Sequence, residues 1–539
     1  MRWLFALGSM QNPSAHENTD LQPRVPHEEQ NYGATAARVR RGPQVPVSRN
    51  SPAKRDYLIV GVLCYANLIN FMDWFIVPGI LLDIQKYFEL RDEGAGLLQT
   101  VFILCYMLAA PFFGYLGDRY NRKVILGAGI FFWSAVTLGT SFISESYCWI
   151  FFLSRGLVGI GTASYSTVAP TIIADRFDEG KRTTMLSVFY ICIPVGSGLG
   201  YVLASSMAHV TGDWHWAFRV TPCMGGLALV LLILLVPRRV QRRTEAHRAL
   251  SIHGSSRVAA EKPGAQGDAK TSWCQDITSL GKKMKVLEPP PLNCWKEAEV
   301  ALLYWLHKQL KSTPSWSFVW SSLGLTAMAF VTGALGLWVP MFLYRAQVAL
   351  GIVQQCLEKS CNSSNSLIFG GITIGTGILG VIAGAEAARR LRKTNSRADP
   401  LICATSMFVS SLCLYVAIMV AQKNILSTFI FIAFGELFLS VNWAVVTDIL
   451  LYVVTPRRQS TAIALQILAS HLLGDAGSPY LIGMISSAIQ AKKDQSFQWS
   501  FCSLQYSFII CVFVGVFGGV FFLLTSFYIE EDRKEAEQL

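Results

Sequence analysis

The sequence is short of charge. Asp, Glu, Lys and Arg make up only 15% of its 539 residues, where a soluble domain carries about 25%. A chain of this length could not solvate its exterior with so few, unless much of that exterior faces lipid. The scarcity excludes an ordinary soluble enzyme and a disordered chain, and 13 cysteines spread over this length do not make a small disulfide scaffold. Catalytic signatures are missing too. No P-loop, HExxH, CxxC or GxSxG occurs, so an enzyme, an ATP-driven pump and a metalloprotease have no visible home. Gly375-Thr-Gly377-Ile-Leu-Gly380 matches GxGxxG, but it lies inside an apolar run with no strand before it. That context fits small residues for helix packing, and Gly196-Ser-Gly198-Leu-Gly200 is read the same way.

What the sequence does have is apolar length. Residues of the apolar classes make up 52% and the mean hydropathy is +0.39. A helix needs about 20 mostly apolar residues to cross the hydrocarbon core, and twelve segments qualify: 57–80, 95–116, 124–143, 149–174, 184–208, 216–237, 316–344, 366–388, 401–421, 426–452, 460–487 and 504–528. The expected organisation is an N-terminal segment 1–56, a six-helix bundle 57–237, a linker 238–314, a second bundle 316–528 and a tail 529–539. Residues 3–7 are too short an apolar run for a signal peptide, so the first span is expected to start insertion.

Orientation follows from the short loops. Loops 117–123, 175–183, 389–400 and 453–459 hold 13 Lys and Arg, against 7 in the loops of the other side. The basic side, with the linker and both termini, is therefore expected in the cytoplasm. Of all 46 Lys and Arg, 37 fall there, so the net charge of +11 meets an anionic inner leaflet and is no nucleic-acid footprint. The loop 345–365 carries the sequon at Asn362 and the pair Cys356 and Cys361, as either a disulfide or two free thiols. Glycosylation and a disulfide both belong on the non-cytoplasmic side, where the charge count puts this loop.

The two halves echo each other. Gly114-Tyr-Leu-Gly-Asp-Arg-Tyr-Asn-Arg-Lys123 follows the second span, and Gly384-Ala-Glu-Ala-Ala-Arg-Arg-Leu-Arg-Lys393 follows the eighth. In the first copy Gly114 and Gly117 permit close helix approach. Asp118 can bridge or cap, while Arg119, Arg122 and Lys123 stay in the cytoplasm, so the loop reads as a gating latch. The second copy has only Glu386 near the Asp position, which predicts an asymmetric latch. This pattern resembles the major facilitator superfamily and implies an all-α membrane protein of twelve transmembrane helices in two six-helix bundles, with substrate near mid-membrane between the halves.

Ionisable groups inside spans are costly and mark function by default. The deep ones are Asp73 and Arg155 in the first half, and Glu436, Asp448, His471 and Asp475 in the second. Asp73 and Arg155 carry opposite signs and are expected to offset each other's desolvation, with Arg155 meeting an anionic headgroup and Asp73 acting as coupling acid. Arg155, Gly159 and Thr162 share a helix face that Tyr165 and Ser166 continue. Glu436 occupies the place in span 10 that Arg155 holds in span 4, with Asn442 further along. His471 is either a hydrogen-bonded packing residue or part of the substrate path. Asp475 sits where Gly474-Asp-Ala-Gly-Ser-Pro479 should break the helix.

Longer blocks narrow the resemblance. Leu81-Leu-Asp-Ile-Gln85, Ala95-Gly-Leu-Leu-Gln99, Ser154-Arg-Gly-Leu-Val-Gly159, Pro194-Val-Gly-Ser-Gly-Leu-Gly-Tyr201, Asn442-Trp-Ala444 and His471-Leu-Leu-Gly-Asp-Ala-Gly-Ser-Pro-Tyr480 resemble the Spinster family, in its vertebrate sphingolipid transporter group. The resemblance implies a secondary active transporter of lipid-like amphiphiles, sphingosine-1-phosphate or a lysophospholipid, working by alternating access. It implies no cofactor beyond a coupling proton or cation, membrane lipids as partners, no nucleic acid and a monomer. The membrane is the plasma membrane or an endolysosomal one. Two departures stand out: Trp74 where many members have Arg, and Thr162 where many have Glu. Residues 284–314 include an amphipathic run that either lies on the inner membrane surface or is an inserted segment. Two other readings stay open, a facilitator for a small polar or organic-anion solute and a non-transporting receptor or scaffold.

Overall fold

The computed structural model describes residues 54–177, 179–236, 315–355, 364–454, 459–492 and 496–538. In hydrocarbon no water can satisfy a free backbone N–H or C=O, so each apolar run closes its hydrogen bonds internally as a helix. The first half holds α1 (Lys54–Trp74), α2 (Asp92–Arg119), α3 (Arg122–Thr140), α4 (Cys148–Ala174), α5 (Glu179–Thr211) and α6 (Ala217–Leu235). The second holds α7 (Trp316–Ala349), α8 (Ser364–Leu391), α9 (Ala398–Val420), α10 (Ile425–Val453), α11 in two pieces (Gln459–Ser470 and Ser478–Gln490) and α12 (Phe497–Gln538).

Eleven of the described helices are long and apolar enough to cross a membrane. The crossing expected over 460–487 is the broken one, and neither piece alone reaches that length. A π-helical turn spans His471–Asp475, and the second piece restarts with Pro479 in its first turn. Pro479 has no N–H to continue the ladder, which gives the irregularity expected at Asp475. The first crossing is interrupted as well. After Trp74 it continues as two short helices, Ile76–Gly79 and Leu81–Tyr87, so this path runs past the expected limit at residue 80. α12 also runs on through most of the segment read as a tail. Its extension is held because Asp532 accepts from Ser317 N at 2.7 Å and Ser315 Oγ at 3.0 Å, and Glu530 accepts from Arg397 at 2.7 Å.

Apolar packing divides unevenly. One buried set (Ile59, Leu63, Ile69, Phe102, Leu126, Val158, Ile172 and Leu232 among it) stays largely within the first bundle. The other joins Ile76, Val77, Ile80, Leu98 and Phe218 to Trp338, Met341, Phe342 and Phe501, and so runs across both bundles. Its first-half members lie at the helix ends away from the chain termini. That face is closed, and polar groups lock it.

Asp92, the first residue of α2, is 2% exposed and receives a bidentate fork from Arg345 near the end of α7, at 2.6 and 2.8 Å. Ser486 (2.6 Å) and Gln490 (2.8 Å) of α11 and Gln85 (3.0 Å) complete its hydrogen bonds. A fork of two parallel charged bonds is the strongest of the ordinary polar contacts. Around it α2 and α11 approach backbone to backbone. A Cβ at Gly96 would overlap the Pro479 carbonyl, and one at Gly483 would overlap that of Asp92. Tyr480 donates to Glu93 at 3.0 Å, Ser366 to the Gly79 carbonyl at 3.0 Å, and Tyr201 to the Gly336 carbonyl.

Arg345→Ala strands the Asp92 carboxylate in this closed face, and breaking such a pair is worth about 3–5 kcal/mol. The expected outcome is a large loss of thermal stability in detergent. An Asp92→Asn, Arg345→Gln double variant, which removes both charges, should recover most of it. Equal stability of Arg345→Ala and the parent would refute the clamp.

Candidate functional site

The break in the first crossing falls where a buried carboxylate is held. Asp73, 1% exposed, ends α1 next to Trp74 and Phe75. Its oxygens accept from Trp133 Nε1 at 2.8 Å and Thr137 Oγ1 at 3.4 Å on α3, and from Thr221 Oγ1 at 3.0 Å on α6. All three donors are neutral. Arg155, also 1% exposed, makes no ion pair with Asp73 within 4 Å among the described residues. The opposite charges still attract each other without touching, as expected, while the acid takes its hydrogen bonds from α3 and α6.

Arg155 lies with its guanidinium 4.8 Å from the centre of the Phe102 ring. Its Nε and Nη2 are buried with no acceptor. The cause is local packing. Gly156 and Gly159 bring α4 so close to α2 that a Cβ at Gly159 would overlap the Phe102 carbonyl. The face carrying Arg155 thus rests on α2 beside the Phe102 ring. Phe102 in turn meets Trp74 edge-on at 4.6 Å, and Trp74 meets Tyr106 at 5.4 Å and stacks on Phe71 at 5.8 Å. A guanidinium with open donors, backed by aromatic rings, can bind an anion.

In the second bundle Glu436 of α10 accepts from Thr373 and Thr376 of α8, each at 3.3 Å. No basic side chain lies within 4 Å of it among the described residues. His471 pairs with Asp475 at 2.8 Å across the π-helical turn, and its ring meets Tyr106 of the first bundle at 6.2 Å. Insertions of this kind often mark functional helices. Neighbouring Thr100 donates to the Ala476 carbonyl at 2.6 Å, so the turn is also a seam between the bundles.

A model of the Major Facilitator Superfamily matches residues 63–472. Mouse protein spinster homolog 3 is 51% identical over 94% of this chain and 90% of its own length. The chain belongs to the Spinster family. Bovine protein spinster homolog 1 is 50% identical over 89% of this chain and 82% of its own. A crystal structure described as a bacterial homolog to human lysosomal transporter, Spinster, in an inward-facing and occupied conformation has the same fold. Its TM-score is 0.64 at 15% identity, covering 90% of this chain and 99% of that one. As a Spinster homologue with the major facilitator fold, the protein is a multi-pass membrane transporter and not an enzyme.

Within this Spinster fold the latch loop is built as follows. Arg122 pairs with Asp175 at the end of α4 and donates through Nε to the Gly117 carbonyl at 3.1 Å. Lys123 donates to the Ile233 carbonyl at 2.8 Å and to that of Val236 at the end of α6. A Cβ at Gly117 would press on Val168, whereas Gly114 has open space. Asp118 and Arg119 stand in the last turn of α2, and their side chains lie outside the described residues. In the second half Arg392 binds Asp448 at 2.5 Å and Asp399 at 2.8 Å, while Glu386 pairs with Arg390 at 2.6 Å and with Arg389. Asp448 is thus a latch partner near the end of α10 and not a deep charge. Sequence pattern missed its counterpart Asp175.

The remaining sequence candidates separate by what they touch. Tyr165 donates to the Leu63 carbonyl and ties α4 to α1. Thr162 is 2% exposed on α4. Asn442, fully buried, accepts from Ser406 Oγ at 2.7 Å and donates to its own helix, so it holds α10 to α9. Asn362, Cys356 and Cys361 lie outside the described residues, as does the linker 238–314. Asp92 and Arg345 went unrecognised because both fall at span ends, where sequence alone reads loop charge.

Trp133→Phe removes one donor from a buried carboxylate, a loss of about 1–3 kcal/mol. The expected result is a lower unfolding temperature in detergent, with Thr221→Val behaving likewise. If neither variant is destabilised, Asp73 is not anchored by these groups.

Proposed function

We propose that this transporter moves a lipid-like amphiphile, a single-tailed lysophospholipid or sphingosine-1-phosphate, by alternating access, with Arg155 receiving the anionic headgroup. One observation carries the reading: a guanidinium buried in the first bundle with two donor nitrogens unfilled and an aromatic wall behind it. A buried charge without its partner is expensive, so an anion that fills those donors binds with a large gain. The aromatic set of Phe71, Trp74, Phe102 and Tyr106 supplies apolar surface beside it, which suits a headgroup attached to a chain better than a free sugar.

Direction of closure follows from combining topology with the clamp. With both termini cytoplasmic, as the loop charges argue, the face closed by Asp92 and Arg345 is the outer one. The described state is then inward-facing. Asp73 enters this scheme as the anchor that holds the break of α1 against α3 and α6.

The test is efflux of sphingosine-1-phosphate and lysophospholipid from cells expressing matched surface amounts of protein. Arg155→Ala should lower efflux at least about tenfold, the worth of one charge-assisted hydrogen bond. Asp73→Asn should lower the yield of folded protein more than the rate per molecule. Efflux by Arg155→Ala at the parental rate would remove the headgroup role.

A further inference from the structure

α1 and α5 lie side by side and parallel, in a register that glycines set. A Cβ at Gly196 would stand 2.7 Å from the Leu68 carbonyl, and one at Gly200 would stand 2.5 Å from that of Met72. One turn earlier on each helix, the same register brings Cys64 opposite Cys192. Both thiols are free, and they lie within hydrogen-bonding reach of each other. The backbone around them is pinned, because Asn67 donates to the Phe189 carbonyl at 2.9 Å and Tyr165 donates to that of Leu63. Cys403 and Cys511 are buried, as thiols that act as small hydrophobes are, whereas both members of this pair are partly exposed.

The pair also sits beside a hinge. Pro194 stands inside α5, two residues after Cys192, and withdraws one rung from the helix ladder. From the proline onward α5 belongs to the contact between bundles. Gly377 of α8 rests on Pro194, Gly198 packs on the Gly370 carbonyl, and Tyr201 donates to Gly336 of α7. Past Gly377 the α8 glycines turn elsewhere, Gly380 and Gly384 packing on Ser440 and Val441 of α10. The arm of α5 before Pro194 is held by α1, and its Tyr190 is 49% exposed.

We infer that Cys64 and Cys192 form an oxidisable dithiol, and that their disulfide locks the transporter with its clamped face shut. A change of state frees the far arm of α5 from α7 and α8 and brings the near arm toward α8. A bond two residues before the hinge fixes the near arm to α1 and prevents that bend. A disulfide needs Cα atoms about 4.4–6.8 Å apart, and helices that touch through glycine approach that closely. The chemistry balances with a peroxide as oxidant. One thiol becomes a sulfenic acid as the O–O bond breaks and water leaves. The second thiol displaces the sulfenic hydroxyl as another water, and the S–S bond closes. A dithiol reductant reverses the step by exchange.

The test treats purified full-length protein in detergent with hydrogen peroxide or with dithiothreitol, then alkylates it for peptide mass analysis. Peroxide should give the parent a peptide cross-linked between Cys64 and Cys192, which dithiothreitol removes. Cys64→Ser and Cys192→Ser, each folded by gel filtration, should give none. Hydrogen exchange then reads the lock without any cargo. In the parent, oxidation should slow the amides of 184–193 at least about tenfold, and should slow those of the clamp segments 92–100 and 478–486 as well. The serine variants should show neither change under peroxide. A parent that forms no such cross-link overturns the inference and needs no variant. So does slowing confined to 184–193, since the bond would then staple two helices without holding the clamp. Equal slowing in the serine variants overturns it too, because the effect would come from another site of oxidation.

Discussion

The arrangement of the molecule depends on the bond between Asp92 and Arg345. Both groups are almost wholly buried, and they come from opposite bundles. Once that fork forms, the helix ends around it must meet, and the sequence allows it: glycines at 96 and 483 let α2 and α11 touch backbone to backbone. The apolar set running from Ile76 to Phe501 then closes over the same face. Electrostatics selects which face is shut, and small residues let the shutting be tight. Neither works alone, because a buried ion pair by itself is weak evidence of stability and small-residue contacts without a hydrophobic drive between helices are weak in lipid.

The opposite face is organised on another plan. Among the described residues, the ion pairs there stay within each half. Arg122 reaches Asp175 and Arg176 reaches Asp56 in the first, and Arg392 reaches Asp448 and Asp399 in the second. Such bonds make each bundle a rigid body on that side, whereas the clamp joins the bodies on the other. A rocking motion needs both features. The bodies must hold their shape while the contact between them is exchanged. The breaks at Trp74–Phe75 and at His471–Asp475 sit at the boundary between these regimes, where one helix of each half passes from bundle packing into the shared face.

Much of this was legible beforehand. Apolar length gave the helices, because hydrocarbon leaves the backbone no other solution. The breaker run Gly474–Pro479 gave the position of the interrupted crossing. The repeated basic loops gave the pseudo-symmetry. What could not be read was partnership. Asp73 and Arg155 carry opposite charges and attract without touching, but the donors to Asp73, Trp133, Thr137 and Thr221, are indistinguishable in sequence from ordinary span residues. Asp448 looked deep because it lies inside an apolar run, and only the third dimension brings Arg392 to it. Asn442 sat in a family-like block, but its amide is used between α9 and α10. Pattern finds the groups that cost energy, and packing decides which of them have been compensated.

The open donors of Arg155 then acquire a thermodynamic role. To open the closed face, the chain must give up the clamp, a change of about 3–5 kcal/mol if the pair is simply broken. Moving a two-state equilibrium from 1:99 to 99:1 takes about 5.5 kcal/mol of differential affinity. A ligand that fills two buried guanidinium donors in one state and not in the other commands a gain of that order, since hydrogen bonds to charged groups contribute about 1.5–3 kcal/mol each. Leaving Arg155 unpaired therefore keeps the two states close enough in energy for cargo to choose between them. An internal partner for Arg155 would make the protein more stable and its bundles harder to exchange.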